Sequence, residues 1–181
     1  HEAQKQILEA LINKLAPLGK SPSLGFEFFA MASTPDLLSF TEAGEKNRSN
    51  ETEAQIDKAL RMKLGWRHQP DEMWSYYYEL LKIAREHQLE TAGLDLSAAA
   101  KKRITRNGIT GLTRLEQKQL FSTGMDDATY RDYMIDIFKA VHCGMGMGKI
   151  EARLYDTWTA RNDRMALSIS QMADSGTGPV V

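Results

Sequence analysis

Residues 126–141 read Asp-Asp-Ala-Thr-Tyr-Arg-Asp-Tyr-Met-Ile-Asp-Ile-Phe-Lys-Ala-Val, and the reading of this stretch decides the fold expected of the chain. Tyr130, Tyr133, Met134, Ile137, Phe138 and Val141 recur at the three- and four-residue spacing that lines one side of an α-helix. Asp126 stands where a side-chain oxygen caps the first turn, and Met125 can staple onto Tyr130 across that cap. Downstream, Gly144, Gly146 and Gly148 interrupt the pattern, after which Ile150, Leu154, Trp158, Met165, Ile169 and Met172 fall in line on a longer helix. The two stretches together predict a long antiparallel hairpin that turns at the glycines.

Working outward, the upstream chain carries the same signature. Ile7, Leu8, Leu11, Ile12 and Leu15 form a helical stripe closed by Pro17 and Gly19. Pro35 suits the first position of a short helix with Leu37, Leu38 and Phe40, and an aromatic patch of Phe26, Phe28 and Phe29 precedes it. Asn50 with Glu53 opens another helix, which Gly65 ends, and Pro70-Asp71-Glu72 opens the next. Ser97 or Asp95 caps a helix through Ile104, and Thr113 to Glu116 spells a capping box. No run alternates apolar and polar residues with β-branched character, so no strand is expected. The expected fold is all-α, a single-domain bundle of about seven helices over residues 1–173, with 174–181 as a flexible C-terminal tail.

Composition limits the function classes. The chain has 181 residues, enough for one core, and its 42% hydrophobic and 26% charged content is that of a folded protein. Apolar runs are too short to span a bilayer, and a net charge of −1 gives no general attraction to nucleic acid or membrane. Cys143 stands alone, which excludes an internal disulfide. The chain begins at His1 and reads as a processed or trimmed product, in which a signal peptide is not visible. Cytoplasm is the favoured compartment, with a periplasmic or secreted setting after processing left open.

Three stretches carry candidate chemistry. His142, Cys143, Met145 and Met147 offer imidazole, thiol and thioether donors, a soft-metal set of the kind Cu(I) takes, or a small-ligand site. Their glycines and Lys149 also suggest an anion site, but the phosphate-loop spacing is not met and Ile150 follows the lysine. A hinge between two helices explains the glycines more simply. Lys101, Lys102, Arg103, Arg106, Arg114 and Lys118 face the single acid Glu116, a local charge of about +5 that suits phosphate contacts. The competing explanation is a solvated helix face. Trp66, Trp74, Tyr76, Tyr77 and Tyr78 crowd one helix start, and three successive tyrosines cover roughly 300° of its circumference, more than one core can use.

No nucleophile–base pair, Glu-x-x-His repeat or cofactor fingerprint appears, so neither an enzyme nor a bound cofactor is expected. The function expected is a helical protein–protein interaction or assembly module, an accessory subunit of a bacterial complex. Trp66, Trp74, Tyr76 and Tyr78 would contact a protein partner or a second copy of the chain. The alternatives are nucleic-acid binding through 101–118 and metal or small-ligand binding through 142–149.

Overall fold

The structure, a computed structural model, describes residues 2–42, 51–120, 127–141 and 149–181. Helices α1 (Glu2–Leu15), α2 (Thr34–Glu42), α3 (Glu53–Lys63), α4 (Asp71–Glu86), α5 (Ala98–Asn107), α6 (Arg114–Gln117), α7 (Ala128–Val141) and α8 (Lys149–Ser175) dominate it. Two strands join them, β1 (Leu24–Ala30) and β2 (Thr91–Asp95), paired in a parallel sheet. The all-α expectation is thereby corrected to a helix-rich α/β fold.

Both strands evade an alternation test for identifiable reasons. In β1, Leu24, Phe26 and Phe29 are buried, but the adjacent Phe28 is exposed, so the aromatic run blurs the period of two. Every residue of β2 is buried, and a strand covered on both faces has no polar side to alternate with. Parallel pairing needs a long crossover, which α2, α3 and α4 supply between the strands. Gly93 is the residue the pairing demands. A Cβ there would lie 2.1 Å from the Ala30 carbonyl oxygen, while its N–H donates to Thr34 Oγ1 at 3.1 Å.

The chain divides into two compact units, His1–Leu94 with Ser168–Val181, and Asp95–Leu167. In the first, Leu8 and Ile12 of α1, Phe26 and Phe29 of β1, Leu37 of α2 and Leu81 of α4 belong to one apolar core. Residues 179–181, expected in a tail, lie along β1: Ser23 N–H donates to the Pro179 carbonyl and Gly25 N–H to that of Val181. In the second unit Leu96, Ala100, Ile104, Leu112 and Ala160 form a smaller core. At its edge Asp95, only 2% exposed, accepts from Leu96 N–H at 2.7 Å, Lys101 Nζ at 2.6 Å and Arg161 Nε at 3.0 Å. One carboxylate thus joins the end of β2 to α5 and α8.

Several helix starts follow their caps. Thr113 and Glu116 form the expected capping box, and Ser97, not Asp95, caps α5. The cap of α3 is Thr52 with Gln55, one step from the Asn50–Glu53 pair, and Asn50 lies outside the described residues. Asp126 also lies outside them; Asp127 Oδ1 accepts from Tyr130 N–H at 3.0 Å at the start of α7. Among the described residues no helix is long and apolar enough to cross a membrane.

Candidate functional site

Helix α7 is amphipathic in sequence and yet contains no buried residue. Tyr130 is 39% exposed, Tyr133 62% and Val141 65%, while Met134, Ile137 and Phe138 are half-buried. A stripe this apolar ordinarily vanishes into a core. Here it packs on α8 along one flank only. The rings of Tyr130 and Trp158 lie 6.0 Å apart, and Tyr155 stacks on Trp158 at 6.1 Å. The Arg131 guanidinium lies over the Tyr155 ring at 5.4 Å. The partners 130 with 158 and 131 with 155 run in opposite order, so the two helices are antiparallel. The second unit therefore presents an aromatic floor, two accessible phenols and a cation on one helical hairpin.

The chemistry of this donor set is specific. Among the described residues no group of three or more His, Cys, Asp or Glu side chains could hold a bare metal ion. A metal already chelated in a flat organic ring asks for less: an apolar surface and one axial donor, for which a tyrosine phenolate serves. Asp156, on α8, has its carboxyl raised by burial against the opposing pull of Arg131 and Arg153. In the first unit a hollow of about 270 Å³, lined by Ile7, Leu8, Phe26, Phe28, Tyr77 and Val181 among others, is smaller than the ~300–1,000 Å³ of ordinary small-molecule sites.

The residues singled out from the sequence take other places. Trp66, Trp74 and Tyr78 are buried in the first unit, and Tyr76 is half-buried. Trp74 Nε1 donates to Asp57 at 2.5 Å, the Tyr78 hydroxyl to Glu53 at 2.6 Å and the Tyr76 hydroxyl to Gln4 at 2.5 Å. Burial, then the Glu53 contact, pushes the Tyr78 phenol up. The aromatic excess is used by a core that wraps more of α4 than one face, with Phe26, Phe29 and Trp66 around Tyr77.

Of the basic run, Lys101 is held by Asp95 and Arg103 pairs with Glu116. Lys102, Arg106, Arg114 and Lys118 are exposed. The candidate donors His142, Cys143, Met145 and Met147 lie outside the described residues. The exposed face of α7 was missed because an apolar stripe at helical spacing was read as core. Its one sequence-level signal is that two of its six stripe positions are tyrosines.

The whole chain, residues 1–181, matches the model of a family described as haem-binding uptake, Tiki superfamily, ChaN. A solved structure described as cofacial heme binding to ChaN of Campylobacter jejuni superposes with a TM-score of 0.66 at 16% identity. The match covers 98% of this chain and 62% of that one, so the chain spans under two thirds of that protein's length. At this identity the likeness shows the fold, and that fold is α/β. A comparison with curated proteins finds no match. These findings overturn the expected assembly module and bacterial accessory subunit, since the family is one of haem binding and uptake, a small-ligand chemistry. The chain belongs to the haem-binding uptake, Tiki superfamily, ChaN family.

Proposed function

We propose that this chain binds haem on the α7–α8 hairpin of its second unit, with the Tyr133 phenol as axial ligand to the iron. The observation that carries the reading is the exposure of the α7 stripe, an apolar helix face with two phenols that no core of the described residues covers. When bound, haem supplies an iron held by four porphyrin nitrogens, with axial positions open to a protein donor. The residues present fit that need. Met134, Ile137 and Phe138 give apolar contact to the ring, and Tyr133 offers an oxygen that packs on nothing in the aromatic floor. Tyr130 is turned toward Trp158 and serves as platform. The family match and the likeness to a haem-binding protein support this assignment.

A second donor is at hand in the chain itself. His142, Cys143, Met145 and Met147 begin one residue after Val141, the end of α7, and each is a haem-ligand type. In this reading the segment contributes the opposite axial ligand, and His142→Ala or Cys143→Ser changes the spin state without abolishing uptake.

Trp158 provides the test. It is the one tryptophan in the second unit, with Trp66 and Trp74 in the first. Titration with ferric haem should quench Trp158 emission to saturation, and a Trp158→Phe protein should lose most of that quenching. Haem that fails to saturate, or quenching equally strong in Trp158→Phe, contradicts the assignment.

A further inference from the structure

Haem is an amphiphile: an apolar disc with two propionate carboxylates at one edge. A site that takes it from water needs a cation beside its apolar face, because a carboxylate brought against protein unpaired loses its hydration without return. The cations of the second unit are mostly committed. Lys101 and Arg161 both serve Asp95, Arg103 pairs with Glu116, Lys139 with Asp136 at 2.9 Å, and Arg164 donates to the Gln119 carbonyl at 3.1 Å.

Arg131 differs from these. Among the described residues it makes no ion pair, it is exposed, and its guanidinium rests on the face of Tyr155. That position is next in the chain to Tyr130 and on the same flank of α7, beside the Tyr155–Trp158 stack. The ring beneath holds the guanidinium in place while leaving its N–H fork free, which suits bidentate binding of a carboxylate. We propose that Arg131 reads the propionates of the porphyrin and makes the site selective for porphyrins that carry them as free acids. The inference rests on the haem reading above and adds its specificity determinant. The competing role for Arg131 is structural, a lid over the Tyr155 ring, and the two roles predict different outcomes.

The experiment titrates the purified full chain with ferric protoporphyrin IX and with its dimethyl ester from the same stock solvent. It compares the native protein with Arg131→Gln and Arg131→Lys. The native protein should bind the diacid roughly tenfold or more tightly than the diester, the scale of one charge-assisted hydrogen bond. Arg131→Gln should bring the diacid down to the diester and leave the diester unchanged, and Arg131→Lys should restore part of the preference. Equal binding of diacid and diester by the native protein overturns the proposal, and so does an equal weakening of both in Arg131→Gln, which marks the structural role. Binding of neither porphyrin overturns the haem reading itself and the proposal with it. Haem bound without preference overturns the proposal alone.

Discussion

Replacing Gly93 by alanine tests the strand pairing that the sequence concealed. An alanine Cβ there would sit 2.1 Å from the Ala30 carbonyl oxygen and 2.9 Å from that of Phe29. A carbon–oxygen contact is comfortable at about 3.3 Å, so the strands must part by about 1 Å of their ~4.8 Å spacing. Both obstacles are backbone atoms, which no rotamer change can move. Separation also stretches the Gly93 N–H to Thr34 Oγ1 bond, now 3.1 Å. One lost hydrogen bond at about 1 kcal/mol and the strain of overpacking at about 1–3 kcal/mol sum to roughly 3 kcal/mol. That is a large share of a typical stability of about 5–15 kcal/mol.

Two other glycines calibrate the result. At Gly25 the added Cβ meets the Leu94 side chain, with Cδ1 at 2.9 Å, and that end can rotate away. At Gly19, φ is +64° and nothing lies within 4 Å, so alanine incurs only backbone strain of about 1 kcal/mol. Urea unfolding followed by tryptophan emission in a Trp158→Phe background reports the first unit through Trp66 and Trp74. With a slope of about 2 kcal/mol per molar, Gly93→Ala should lower the midpoint by about 1.5 M, and Gly19→Ala by about 0.5 M. A Gly93→Ala midpoint no lower than that of Gly19→Ala would refute the close pairing of β1 and β2.

Other outcomes follow from single contacts. Asp95→Asn leaves Lys101 and Arg161 around a buried neutral amide; it should destabilise the second unit by roughly 3 kcal/mol, read as a lower thermal midpoint. The Thr113 N–H, then Arg103 and the Thr113 hydroxyl, hold the Glu116 carboxyl below the usual carboxylate range. A depressed acid stabilises the fold above its unfolded pKa and loses that contribution as pH falls through its folded value. Acid titration below about pH 4.3 should therefore close the stability gap between the native protein and Glu116→Gln, which is widest near neutrality.

Much of the helical framework was legible because its signals are local. Thr113-x-x-Glu116 fixes its own cap through atoms three residues apart, and Gly19 and Gly65 stop helices by adopting positive φ. The sheet was not legible because its determinants are distant in the chain. Gly93 is required by Ala30, and Ser23 and Gly25 bond to residues 179–181. The aromatics of α4 show the limit of counting faces. Tyr76, Tyr77 and Tyr78 find Gln4, Phe29 and Glu53 as neighbours, from three separate elements. The candidate site inverts that error: the stripe of α7 has core periodicity, and only the finished fold reveals that it stays exposed. Periodicity reports which residues share a face, not whether this chain covers that face.

The central claim is that the exposed α7 face takes haem through a phenol. The most direct measurement is the absorption spectrum of the chain titrated with ferric haem, in the native protein, in Tyr133→Phe and in Tyr76→Phe. The account predicts a saturable, stoichiometric spectrum with the charge-transfer absorption of phenolate-bound ferric haem in the native protein and in Tyr76→Phe. In Tyr133→Phe that absorption should vanish and affinity should fall by roughly tenfold or more, the scale of losing one strong polar contact. A Tyr133→Phe spectrum identical to the native one, or a native protein that takes up no haem, would contradict it.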